Sequence, residues 1–387
     1  MLARGARVLA GPSLEDVEAD VRVTGGSFSE VGPDLRAAPG EEVLDCSGML
    51  AVPGLVNAHT HVGDSVAKGI SDGLTVEGAV HPAYGAKRRV LSGTPPALLE
   101  GMMRSACRLM LSKGVTTFAD FREGGLEGAR MLRRAASGIP IRCLVFGRLE
   151  HYPGPGGGPL DGAMRAELAA LLAECDGIGI SGANENPDPV LEEYGATGRA
   201  AIHAAESAQS VAASLERTGR GEVERALLAR PLFLVHMVHA GPGDLGAARA
   251  ARGIVACPRS NAALGAGAPD IRAMSDAGCT VALGTDNVMV NSPDMFREMD
   301  YASRSAEAAG RPVPARDVLR MATVNGARVL GTRGGQISPG ADADMVLLDA
   351  RSLELAPVHD PYEAVVHRAT DSSVRAVVAG GRVVHGA

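Results

Sequence analysis

Two of the ten histidines in this 387-residue chain, His59 and His61, stand two residues apart at the end of the apolar run Val52-Pro-Gly-Leu-Val-Asn-Ala. A β-strand repeats its side-chain direction every second residue, so both imidazoles leave on one side and can share one cation. Two further ligand-type residues close similar apolar runs: His203 in Ala-Ala-Ile-His-Ala-Ala-Glu206, and Asp286 in Val-Ala-Leu-Gly-Thr-Asp286-Asn. Three imidazoles and one carboxylate suit a divalent ion, with Zn2+ expected and Fe2+ the alternative, and Asp286 can also accept a hydrogen bond from a bound water. Each residue alone has a plainer explanation: a hydrogen-bonded core pair, a satisfied core histidine, an aspartate that caps a turn. Their joint position carries the metal reading.

Two more residues could move protons. Glu206 follows His203 by three positions, which puts a carboxylate just above the metal, between water and substrate; as a plain first-turn acid it would serve only a helix dipole. His236 and His239 end the run Leu-Val-His236-Met-Val-His239, and His236, at the strand terminus, is the stronger choice for polarising a substrate or orienting the attacking hydroxide. Asp120, Arg122, Arg148 and His151 are read as loop residues that could touch substrate, although exposed loop charges are more often simply solvated. No lysine ends the fourth strand, Asp176-Gly-Ile-Gly-Ile-Ser181, so the bridging carbamylated lysine of some two-metal barrels has no counterpart and one metal is expected.

The elements that must position these groups are legible as repeats of a short β-branched run and a longer helical pattern from about Val52 to Leu330. The expected strands are Leu55 to Ala58, Val115 to Ala119, Ile141 to Phe146, Gly177 to Ile180, Arg199 to His203, Leu232 to His236, Gly253 to Ala256 and Thr280 to Gly284. Eight βα units close most economically into a (β/α)8 TIM barrel, an α/β fold whose active face lies at the C-terminal ends of its strands. His59, His61, His203 and Asp286 all leave strands at that end, and strands one and eight are neighbours on closure. Residues 1–51 and 342–387 have short alternating strands instead, with a Gly380-Gly381 turn, and are expected to pair into one small β-sandwich beside a barrel of residues 52–341.

Composition narrows the partners. Apolar residues make up 45% and charged residues 21%, which is globular. A net charge of −7 lacks the basic excess that nucleic acid or anionic lipid would call for, so a small-molecule substrate is expected, with no nucleic acid or membrane partner and with room for a homo-oligomer. Residues 1–22 carry four acids and three arginines and do not read as a signal peptide, and the cytoplasm is the expected compartment. The six scattered cysteines form no C-x-x-C pair and read as buried thiols. With aromatics at 3%, the core is expected to be built from Ala, Val, Leu, Ile and Met.

These motifs resemble the amidohydrolase superfamily, in its branch of cytosine deaminase-like, S-adenosylhomocysteine deaminase-like and triazine chlorohydrolase-like enzymes. The resemblance rests on Pro53-Gly-Leu-Val-Asn-Ala-His-Thr-His61, Gly114-Val-Thr-Thr-Phe-Ala-Asp120, His203-Ala-Ala-Glu206, His236-Met-Val-His-Ala240, Cys257-Pro-Arg-Ser-Asn-Ala-Ala-Leu-Gly265 and Leu283-Gly-Thr-Asp286. It extends through Met321-Ala-Thr-Val-Asn-Gly-Ala327 and Gly340-Ala-Asp-Ala-Asp344. It implies metal ligation by His59, His61, His203 and Asp286, with proton transfer and substrate polarisation by Glu206 and His236. The reaction it implies is hydrolytic loss of ammonia from an aminated purine, pyrimidine or pterin. Cyclic amide or amidine hydrolysis and chloride displacement are the alternatives within the same superfamily, and a non-catalytic assembly protein is the alternative outside it. Asn287 departs from the glycine that many relatives carry, and the Gly-rich segment after strand three matches no defined specificity.

Overall fold

The computed structural model describes residues 1–386. Five strands come first: β1 (Leu2–Ala10), β2 (Glu15–Thr24), β3 (Ser27–Gly32), β4 (Val43–Asp45) and β5 (Met49–Pro53). The central sheet follows with β6 (Leu55–His61), β7 (Val115–Arg122), β8 (Arg142–Gly147), β9 (Gly177–Ile180), β10 (Ala200–Ala204), β11 (Phe233–His236), β12 (Gly253–Ala256), β13 (Val281–Leu283) and β14 (Asp286–Asn287). The last strands are β15 (Met345–Asp349), β16 (Val374–Ala379) and β17 (Arg382–Gly386). No helix among the described residues is long and apolar enough to cross a membrane.

The central strands are parallel and ordered as in the chain, and β14 pairs with β6 through Asp286–Thr60 and Asn287–His61. Because β13 and β14 are two pieces of one strand, that pairing closes the sheet into the expected TIM-like barrel. Alternation assigns the two faces. Ile202, Leu234 and Ile254 point out to the helices, while Ala201, Val235 and Val255 point in. The helix Pro96–Ser112 shows the outer side of this packing, burying Met103, Ala106, Cys107, Met110 and Leu111. The interior departs from the aliphatic expectation: Phe121, Phe146 and Phe233 cluster there with ring centroids 5.2–6.0 Å apart. Scarce aromatics are placed where their volume fills the barrel floor.

Strands from both ends of the chain join in one eight-stranded sheet, with the central order β17-β16-β15-β5-β1-β2-β3 and β4 beside β1. The sheet curls over an apolar face of Val8, Val21, Phe28, Ala51, Met345, Leu347 and Val378. Its other face, with Leu50, Val52, Val346, Leu348 and Val377, belongs to the core shared with the barrel helices. The β16–β17 hairpin turns through Gly380 and Gly381, both at positive φ (56° and 80°), the backbone that a two-residue hairpin demands.

Candidate metal centre

The expected first strand ends at Ala58, but β6 continues to His61 and all of its residues are buried. His59 and His61 are therefore held inside the ladder, and both reach the same carboxylate. His59 Nε2 lies 3.3 Å and His61 Nε2 3.5 Å from Asp286 Oδ1. From β10, across the barrel, His203 Nε2 comes within 3.4 Å of His61 Nε2. The donor atoms of all four residues lie within 4.8 Å of one another. Gly284 makes this closeness possible, since a Cβ there would sit 2.8 Å from His59 Cβ and N. Asp286 itself has φ +59°, and Ala205, His236 and Met237, at the ends of β10 and β11, are likewise left-handed. Such backbones cost about 1–3 kcal/mol each and persist where surrounding packing enforces them.

The donor set fits a cation. His61 Nδ1 donates to Phe121 O (3.0 Å) and His203 Nδ1 to Ile180 O (2.9 Å), which turns each Nε2 lone pair inward. Both ring nitrogens of His59 are buried without a hydrogen-bond partner. Burial disfavours the imidazolium in His59, His61 and His203, and at His61, with Lys87 adding to it, the pKa is pushed down to about 3. At Asp286 burial favours the acid, but the close approach of His59 and the other imidazoles outweighs it and holds a carboxylate. Two donors ~2.0–2.1 Å from one tetrahedral centre lie ~3.3–3.4 Å apart, close to the spacings found here.

Glu206 and His236 stand beside this cluster, with His236 Nε2 3.5 Å from Glu206 Oε2. Burial, then the charges of Asp286, Glu77 and Glu185, raise the Glu206 carboxyl well above its ordinary value. His239 turns away and donates to Ala266 O. Four residues line a cavity floor: His61, His203, His236 and Asp286. The cavity is about 460 Å3, walled by Val76, Val80 and Tyr84 on one side and by Ser181, Glu185 and Glu222 on another.

Of the loop candidates, Arg148 lines this cavity, whereas the other three do not. Asp120 and Arg122 lie on β7, not in a loop, because that strand runs on to Arg122. Asp120 is spent on the first turn after β6, accepting from Thr60 Oγ1 and Val62 N, and Arg122 pairs with Glu123. His151 is exposed outside the lining.

Sequence reasoning missed the second ring of contacts. Ser260 Oγ donates to Asp286 Oδ2 (2.5 Å), and Asn261 Nδ2 donates to His236 Nδ1 (2.9 Å). Both lie in the motif Cys257-Pro-Arg-Ser-Asn, a signal that gave no role. Asn287 donates to Asp64 Oδ2 (2.8 Å), so its side chain replaces a bare backbone with a tie to the turn after β6. Lys87, which drew no reading from the sequence, is buried, 2.6 Å from Glu123 Oε1 and 3.4 Å from Asp64 Oδ2; Glu123 in turn lies 3.2 Å from His61 Nδ1. Lys87→Met should destabilise the fold by about 3–5 kcal/mol, read by urea unfolding, because the fully buried Asp64 loses a close cation and Glu123 is left with Arg122. A change under about 1 kcal/mol would mean that water already solvates the pair.

Glu298, fully buried behind Asp286, supplies a pH test. Burial pushes its carboxyl up to about 8 against the opposing charge of Arg259. An unfolded glutamate ionises near ~4.3, so between there and about pH 8 the native state keeps a proton that the unfolded chain has lost. This group's contribution is therefore intact below ~4.3 and falls by about 1.4 kcal/mol per pH unit through that window. Glu298→Gln removes the titration, so its stability relative to the parent should rise from pH 5 to pH 8. A pH-independent difference would mean that Glu298 is ionised in the fold.

Comparison with known proteins follows the same lines. The sequence model of the amidohydrolase family matches residues 50–384. The chain belongs to this family. This amidohydrolase is 37% identical to a Methanothermobacter thermautotrophicus protein provisionally named an aminohydrolase, over 99% of each chain. It is 32% identical to a 5-methylthioadenosine/S-adenosylhomocysteine deaminase of Syntrophobacter fumaroxidans, over 94% of this chain and 87% of that one. Among solved structures, a zinc-bound adenosine deaminase of Xanthomonas campestris superposes with a TM-score of 0.85 at 25% identity, covering 99% of this chain and 92% of its own.

Proposed function

We propose that this amidohydrolase is a hydrolytic deaminase: one Zn2+ held by His59, His61, His203 and Asp286, an amino-substituted purine, pyrimidine or pterin ring as substrate, and ammonia as product. One observation carries the reading. A largely enclosed carboxyl, Glu206, stands 3.5 Å from His236 Nε2 and against Asp286, directly beside the four-donor cluster, where burial raises it well above its ordinary value. Exchange of a ring amine for oxygen needs a proton placed on the ring nitrogen, a proton taken from water and a proton given to the departing amine. A single carboxyl that can cycle between acid and base serves all three steps.

Three nitrogen donors and one oxygen donor suit zinc or iron, and the zinc in the Xanthomonas adenosine deaminase favours the former. When bound, such an ion supplies Lewis acidity that brings the pKa of a coordinated water near ~7. Asp286, with Oδ2 fixed by Ser260, turns Oδ1 toward the cluster, where it accepts a hydrogen bond from the attacking oxygen. His236 directs that oxygen, and Glu206 gives its proton to the ring nitrogen, takes the water proton and passes it to the amine. The cavity is of nucleoside size. Six cysteines without a disulfide support a reducing, cytoplasmic setting. We take residues 52–341 as the catalytic unit and the terminal segments, 1–51 and 342–387, as its support.

The test is a panel of aminated heterocycles, including adenosine, 5-methylthioadenosine, cytosine and guanine, assayed for ammonia. Release of ammonia with one oxygen gained per ring is the expected result. A new carboxylate without ammonia would replace deamination by ring opening.

A further inference from the structure

Two consecutive residues of one turn reach in opposite directions to groups on neighbouring strands. They lie in the first turn of the short helix Pro258–Ala263, which follows β12 after the single residue Cys257. On one side Ser260 Oγ meets Asp286 Oδ2, beyond β13; on the other Asn261 Nδ2 meets His236 Nδ1, at the end of β11. Ser260 and Asn261 are fully buried. The turn is itself fastened: Arg259 N donates to Glu298 Oε1 (3.0 Å), and Asn261 O accepts from Ala266 N (2.8 Å).

We infer that Asn261 is a positioning residue that fixes the proton of His236 on Nε2, so that this imidazole meets substrate and attacking oxygen only as a hydrogen-bond donor and is withheld from the cation. An amide NH2 can only donate, so Nδ1 must accept, and a neutral imidazole with its lone pair at Nδ1 carries its proton on Nε2. That proton points where Glu206 Oε2 lies, 3.5 Å away. The opposite tautomer would present a bare Nε2 beside Asp286, and His236, Glu206 and Asp286 together have donor atoms within 4.8 Å. A fifth donor would then compete for the ion and close the position that water needs. The ring has little freedom to escape this choice. His236 is stacked on His203 (centroids 5.2 Å apart, 24° between planes), and its backbone and that of Met237 are left-handed at φ 74° and 55°. The tautomer stands on this geometry alone, while its catalytic consequence rests on the deaminase reading above.

The experiment is long-range 1H–15N NMR of the zinc-loaded protein labelled at histidine, with the His236 signals identified by their loss in His236→Gln. Expected are a protonated Nε2 and an unprotonated Nδ1. A proton on Nδ1, or an Nε2 bound to zinc, overturns the inference whether or not a substrate is known, since the state is read in the parent protein and the variant serves only to assign the signals. Asn261→Asp should draw the proton to Nδ1, and Asn261→Leu should leave the ring a mixture of tautomers. Each should lower kcat by ~10–100-fold, the usual loss for a residue that orients a neighbour of a metal site. Reversed protonation with unchanged kcat would overturn the catalytic half. Failure of the parent enzyme on every aminated ring would instead remove the deaminase reading and leave the tautomer result standing.

Discussion

Glu206→Gln should lower kcat for ammonia release by about 10^2–10^4-fold, the range for loss of a general acid–base group, with the metal content unchanged. The amide matches the carboxyl in size and keeps its place beside His236, so the cavity and the four-donor cluster stay intact. What disappears is the ability to give and retake a proton. The upper end of the range is expected, because one carboxyl serves three transfers and no other lining acid lies within the same group of donor atoms as His236 and Asp286 among the described residues. KM should change little. The assay is steady-state kinetics on the best substrate from the panel, with metal analysis on the same sample. Parent-like turnover would remove Glu206 from the scheme, whereas loss of metal together with activity would recast it as a ligand.

Removal of the cation should abolish turnover and loosen the fold. Dialysis against a chelator leaves His59 with two buried, unpartnered ring nitrogens, and Asp286 as a buried carboxylate. Zinc at a thousandfold excess over its dissociation constant adds about 4 kcal/mol to native stability, so its removal should lower Tm by about 5 °C for a chain of this size. Activity and Tm should return together when zinc is restored. Restored Tm with iron but not with zinc would reassign the metal, and an unchanged Tm would mean that these four side chains hold nothing.

The centre was legible because a barrel converts sequence distance into spatial order: an H-x-H, a lone histidine and a lone aspartate at strand ends become one cluster once the strands are counted. The strand interiors were equally plain, with Gly177–Ile180 and Gly253–Ala256 matching residue for residue. Strand ends were not. Polar residues such as Thr60, Asp120 and Arg122 look like loop to a reader of hydropathy, yet ladder bonds and ion pairs inside the fold keep them extended and buried. Lys87 was hidden for a related reason, since nothing local distinguishes a solvated lysine from one whose carboxylate partners, Asp64 and Glu123, come from two separate segments. Asn261 offered a motif without a meaning, because its partner lies on another strand.

The strand that carries His59 and His61 is the direct continuation, through Gly54, of β5, and β5 lies between β1 and the late-coming β15. While the polypeptide is being made, the flank of β5 that β15 will cover stays open for almost the whole length of synthesis, an unpaired edge of the kind that invites wrong partners. Contacts between residues so far apart in the chain also slow assembly. A lesion near residue 345 would therefore cripple catalysis without touching a reacting group, by stranding the segment of His59 and His61 before it has a wall to lean on.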